Sequence, residues 1–90
     1  MTPDDSEIEA TILRLVAERG AEKTICPSEV ARALVAPGTP QDLWSRLMQP
    51  VRRVAVRLAE RGAIAILRKG KPVPDPETFK GVYRLGLPRD

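Results

Sequence analysis

Four times in 90 residues a residue able to cap a helix is followed by proline and then by polar or acidic residues, and this repetition fixes most of the architecture. The places are Thr2-Pro3-Asp4-Asp5, Cys26-Pro27-Ser28-Glu29, Thr39-Pro40-Gln41-Asp42 and, less acidic, Gln49-Pro50-Val51-Arg52. Proline lacks the amide hydrogen that would go unpaired in a first turn anyway, and a carboxylate just after it meets the positive end of the helix dipole. Four helix starts are therefore expected.

Apolar spacing gives each start a length. The first helix is expected from Asp4 or Ser6 to Arg19, with Ile8, Ile12, Leu15, Val16 and Arg19 on one face and Gly20 ending it. Thr24-Ile25-Cys26 offers a brief edge strand. A second helix runs from Pro27 to about Val35 and buries Val30, Ala31 and Leu34, before Ala36-Pro37-Gly38 breaks it. A third begins at Pro40 and carries Leu43, Trp44, Leu47 and Met48. Because an interior proline clashes with the preceding turn, this helix is expected to stop near Met48, and a separate or kinked fourth helix to run from Pro50 to Arg61, before Gly62.

Beyond Gly62 the period changes. Ala63-Ile-Ala-Ile-Leu-Arg68 is rich in β-branched residues, and Val82-Tyr-Arg-Leu-Gly-Leu87 alternates with Tyr83, Leu85 and Leu87 on one side, so two antiparallel strands are expected. The segment from Lys69 to Gly81, with its alternating prolines, reads as a stiff, extended, solvent-exposed loop. The fold class is mainly α with a small antiparallel β-hairpin, in the order of a winged helix-turn-helix and as a single domain over residues 1–90.

Charge is distributed unevenly along this order. Residues 1–20 hold two basic and five acidic groups, a balance of −3; residues 21–47 hold three of each; residues 48–90 hold ten basic against four acidic, a balance of +6. Such asymmetry favours a polyanionic partner. On a wheel of 100° per residue the fourth helix gathers Val51, Val54, Ala55 and Leu58 on one arc and turns Gln49, Arg53, Val56, Arg57 and Glu60 away from it, with Arg52 and Arg61 at the margins. Arginine donates paired hydrogen bonds to guanine and glutamine pairs with adenine, so Gln49, Arg53 and Arg57 are the candidates for a major groove. Arg52 and the hairpin residues Arg68, Lys69 and Lys71 are candidates for phosphate contacts. An ordinary soluble amphipathic helix has the same pattern, and Val56 and Glu60 on that face weigh against a dedicated phosphate surface. The nucleic-acid reading hangs on the fourth helix turning its guanidinium groups out to solvent beside the hairpin; were they tied up by carboxylates of the same chain, or turned away from the hairpin, it would fail even with the architecture intact.

The rest of the inventory narrows the alternatives. Without histidine, and with one cysteine, neither an imidazole base nor the usual zinc site can be assembled, and no glycine-rich phosphate loop occurs, so no enzyme activity, cofactor or metal is expected. Cys26, at a helix start, reads as a small cap rather than a redox sensor. Three aromatic residues are too few for a binder that stacks successive bases, and Trp44 reads as a core anchor. The longest apolar run, Ala63 to Leu67, is too short to span a bilayer, and the acidic start lacks the features of a secretory signal, which points to the cytoplasm. Eleven arginines against four lysines, with abundant alanine, point to a bacterial genome rich in G and C.

Thr24-Ile-Cys-Pro-Ser-Glu-Val-Ala-Arg32, then Trp44, Leu47-Met48, Val51-Arg-Arg53 and a late Lys69-Gly-Lys, Phe79-Lys-Gly81 and Arg84-Leu85 resemble the small bacterial family known as domain of unknown function 3253. The resemblance covers nearly the whole chain and implies a winged-helix-like fold; it supplies no function. Val73-Pro74 before Asp75 departs from the shorter Lys-Gly-x-x-Val-Asp tip of that pattern.

The expected function is nucleic-acid binding, to double-stranded DNA, as in a small transcriptional regulator. The competing expectation is a protein-interaction winged helix that docks a partner through Leu43, Trp44 and Met48 or through the wing. No segment is left over for a dimerisation helix, so a homodimer would have to pair through the first helix; otherwise a monomer reading one half-site would show little sequence specificity.

Overall fold

The computed structural model describes residues 3–88. Helix α1 spans Asp5–Arg19 and is capped by Asp4, whose carboxylate accepts the Glu7 amide at 2.8 Å. Its inner stripe is Ile8, Ile12 and Val16, one turn apart and all buried. Ile25 follows as a single bridge to Leu85, each backbone amide donating to the other's carbonyl. Helix α2 covers Pro27–Ala33, shorter than its expected span. At its start Glu29 accepts the Cys26 amide with one carboxylate oxygen (2.7 Å) and Arg19 of α1 with the other (2.6 Å).

The third and fourth helices divide earlier than the prolines indicate. Helix α3 is one turn, Gln41–Trp44; a 3₁₀ turn, Ser45–Leu47, follows, and helix α4 runs Met48–Glu60. Pro50 therefore lies inside the first turn of α4 rather than at a break. The first four amides of a helix have no partner within it, so proline costs nothing there and the chain tightens into the 3₁₀ turn instead.

Three strands, not two, make the sheet. Strand β1 (Ala65–Arg68) pairs antiparallel with β2 (Lys71–Pro72) on one side and β3 (Arg84–Gly86) on the other, in the order β2-β1-β3. The expected long loop after Arg68 opens instead as a two-residue turn, with Arg68 opposite Lys71 and positive φ at both Lys69 (53°) and Gly70 (80°). Two consecutive left-handed residues match the twist of the flanking strands, the geometry of a type I′ hairpin. Only after Pro72 does the proline-rich segment wander, and it is not wholly exposed, since Phe79 is buried.

One core lies between α1, α2, α4 and the sheet, built from Ile8, Ile12, Val30, Val51, Val54, Leu58, Ile66 and Leu85 among others. Helix α4 touches α1, α2, the 3₁₀ turn and β1, so it is the element on which the others pack. The molecule is mainly helical with a small antiparallel sheet, compatible with a winged-helix-like fold. Among the described residues no helix is long and apolar enough to cross a membrane.

Candidate nucleic-acid interface

Helix α4 presents the two faces expected of it. Val51, Val54, Ala55 and Leu58 are buried, while Gln49, Arg53, Arg57 and Glu60 are exposed. An open cleft of about 550 Å³ runs along the outer face, lined by Gln49, Arg52, Arg53, Val56, Arg57, Glu60 and Glu77.

The guanidinium groups on that face are nonetheless engaged by the same chain. One oxygen of Asp5 lies 2.8 Å from Arg53 Nη2 and the other 2.9 Å from Arg57 Nη1, and Glu9 holds Arg61 at 2.6 Å. Asp5 and Glu9 sit one turn apart on α1, as do Arg53 and Arg57 on α4 and the capping Arg61 just beyond it, so one acidic helix edge is matched to one basic edge. The hydrogen bond from Arg53, reinforced by Arg57, holds the Asp5 carboxyl below its usual range. The acidic start and the basic later half of the sequence thus meet within the molecule, and Glu60 and Glu77 add carboxylates to the same cleft. Freedom from internal carboxylates, the condition on which the nucleic-acid reading of α4 hangs, is not met for Arg53 and Arg57.

Arg52 does something different from holding phosphate. Its guanidinium stacks 3.8 Å from the centre of the Phe79 ring and donates to the Phe79 carbonyl, and Phe79 meets Tyr83 edge-on at 5.0 Å. The half-buried arginine therefore pins the returning loop to α4; burial of Tyr83 pushes its phenol up to about 12. Arg52→Ala is expected to destabilise the fold by about 1–3 kcal/mol, through a lost cation–π contact and a carbonyl left without its charged donor. Arg52→Lys recovers only part of this, because an ammonium lacks the planar fork. Urea unfolding of the two variants checks the order; equal midpoints for wild type and Arg52→Ala would remove the clamp.

The hairpin residues form a separate group. Arg68 donates to the Val82 carbonyl at 3.0 Å and packs so closely on Gly81 that a Cβ there would lie 2.6 Å from its Nη2. The φ of +92° is what requires glycine at Gly81, since the end of the flexible Arg68 side chain could move off a Cβ. Arg84 donates to the Thr24 hydroxyl (2.9 Å) and carbonyl (3.0 Å). Lys69, Gly70, Val82 and Arg84 line a cleft of about 540 Å³ with Glu22, Thr24 and Leu67, and this cleft shares no residue with the one on α4.

The predicted residues accordingly fall into two sets, with Gln49, Arg52, Arg53 and Arg57 on α4 and Arg68, Lys69 and Lys71 at the β1–β2 turn. The distinction between them is electrostatic. Among the described residues every ion pair of Arg53, Arg57 and Arg61 is with α1, whereas Arg68, Lys69, Lys71, Lys80 and Arg84 form none. Residues 68–84 hold those five cations against Asp75 and Glu77, a balance of +3, which equals the net charge of the whole chain. The remaining residues cancel.

Lys80 and Arg84 are not among the sequence candidates: Lys80 falls in the segment expected as an extended loop and Arg84 in the second strand expected of the hairpin. Asp5 is expected from the sequence only as a helix-start residue and Glu9 carries no expectation; their i, i+4 spacing, repeated at Arg53, Arg57 and Arg61, is the available signal for the ladder. Trp44 is half-buried, with the Arg32 guanidinium 5.7 Å from its ring, and Leu43 beside it is 47% exposed. Cys26 is half-buried, and its sulfur accepts the Ser28 hydroxyl at 3.0 Å.

Compared with known families, the chain matches over residues 5–88 the one described as "Protein of unknown function (DUF3253)". No curated protein matches it.

Proposed function

The chain belongs to the DUF3253 family, and from its own surface we propose that it binds nucleic acid, duplex DNA in particular, through the cationic wing, and catalyses no reaction. The observation that carries this is the placement of charge: Arg53, Arg57 and Arg61 are paired with carboxylates of α1, whereas residues 68–84 carry a surplus of +3 whose five cations form no ion pair among the described residues. Strain at the tip supports it. Lys69 holds φ 53°, a region where asparagine or glycine is more comfortable, so the turn places a cation at some cost in stability.

Lysines on a hairpin meet phosphates rather than base edges, so the binding is positional and largely indifferent to sequence. Affinity then comes from released counterions, and a nonspecific contact of this kind has a Kd on the order of 10⁻⁴ to 10⁻⁶ M at physiological salt. A role in regulating transcription would need sequence reading added to this anchor, and Gln49, exposed on α4, is the residue placed to supply it.

Fluorescence anisotropy with a labelled duplex tests the proposal. With about three to five phosphates contacted, log affinity is expected to fall against log salt with a slope of roughly −3 to −4.5. A flat response removes the proposal. It would favour instead a protein-docking role at the α3 corner, where Leu43 is exposed and Trp44 is not fully covered.

A further inference from the structure

We infer that Arg53 and Arg57 form a phosphodiester-binding site which Asp5 occupies in the free chain, so that the first turn of α1 closes a second nucleic-acid contact on α4. This rests on the nucleic-acid binding proposed above and concerns a second surface for it, on α4 rather than on the wing. The carboxylate of Asp5 stands where a phosphate would. Its two oxygens are each held by a different guanidinium, at 2.8 and 2.9 Å, from successive turns of one helix. A backbone phosphodiester offers the same feature, two anionic oxygens on one atom, and each guanidinium has further N–H donors beyond the one given to Asp5.

Several details favour an exchangeable cover over a structural rivet. All three side chains are about half exposed (51%, 57% and 41%), and exposed ion pairs of this kind contribute little to folding. The site opens onto the α4 cleft, so an anion can approach without any element moving. Glu60 and Glu77 line the same cleft and repel a phosphate, which confines it to the α1 side, where Asp5 sits. Glu9, by contrast, holds only Arg61, the residue that caps the end of α4.

Salt titrations with the labelled duplex test the inference on the full chain. Asp5→Asn is expected to steepen the slope by about 1 to 2 units, the yield of one or two added phosphate contacts. Glu7→Gln removes the same charge from the same turn without freeing a guanidinium, and its slope is expected to stay at the wild-type value. Adding Arg53→Ala and Arg57→Ala to Asp5→Asn should abolish the gain. Asp5→Ser, which keeps a residue suited to a helix start, should reproduce it, and far-UV circular dichroism of each variant confirms that α1 persists.

Equal slopes for Asp5→Asn and Glu7→Gln beside a steep wild type would overturn the closed site and leave wing binding standing. Flat responses from wild type and Glu7→Gln with a steep Asp5→Asn would sink the wing and support the closed site. Flat responses from all of them overturn both.

Discussion

Leu58→Ala is expected to lower the melting temperature by roughly 12 to 24 °C, the equivalent of about 3 kcal/mol in a domain of this size. Leu58 is 1% exposed on the inner face of α4, a helix in contact with α1, α2 and the sheet. Truncation there removes buried methyl groups and leaves a cavity that three surrounding elements would all have to shift to fill, which is the costly kind of deletion. Arg53→Ala with Arg57→Ala, on the opposite face of the same helix, provides the contrast. Their partner Asp5 is exposed, so the double variant should melt close to wild type. Thermal unfolding followed by circular dichroism measures both. A Leu58→Ala protein that melts within a few degrees of wild type, or an arginine variant that melts as early as Leu58→Ala, would mean that α4 is not turned as described.

That orientation of α4 was legible in the sequence, and the reason is general: burial follows periodicity, and periodicity is local. The inner residues Val51, Val54, Ala55 and Leu58, the stripe Ile8, Ile12 and Val16, and the alternation of Tyr83, Leu85 and Leu87 needed no tertiary information. Boundaries were less secure where a local rule permits two outcomes. Proline at position 50 is forbidden in a helix interior but free in a first turn, and which applies depends on where Met48 begins, so the start fell two residues early. The β1–β2 turn escaped notice because Lys-Gly carries only half of the usual signature; a lysine with positive φ is not something composition announces. Charge was the least legible of all. The sums along the chain were correct, yet a sum cannot say which carboxylate stands against which guanidinium. The register of α1 on α4 turned an apparent polyanion surface into a ladder of internal pairs. Among the described residues the cations of the wing form no ion pair, and Lys80 and Arg84 join it only after the chain has folded back.

Removal of the wing cations should produce two effects of opposite sign. Lys69→Asn relieves a left-handed strain that asparagine tolerates better than lysine, so it is expected to raise the melting temperature slightly while weakening duplex binding. Lys71→Ala and Lys80→Ala, both at exposed positions, should leave stability near wild type and weaken binding further. Each lysine that contacts a phosphate contributes about 0.9 to the salt slope, so the triple variant should lose roughly 2.7 units of it. Set against a wild-type slope of roughly −3 to −4.5, this leaves little salt dependence, and between about 50 and 200 mM salt it converts a fall of some two orders of magnitude into one of about tenfold or less. Gains in stability paired with losses in binding cannot arise from a damaged fold, since damage moves both downward. A triple variant that keeps the wild-type slope, whatever its melting temperature, would mean that the wing lysines are ordinary solvated charges and that the polyanion, if one binds, is held elsewhere.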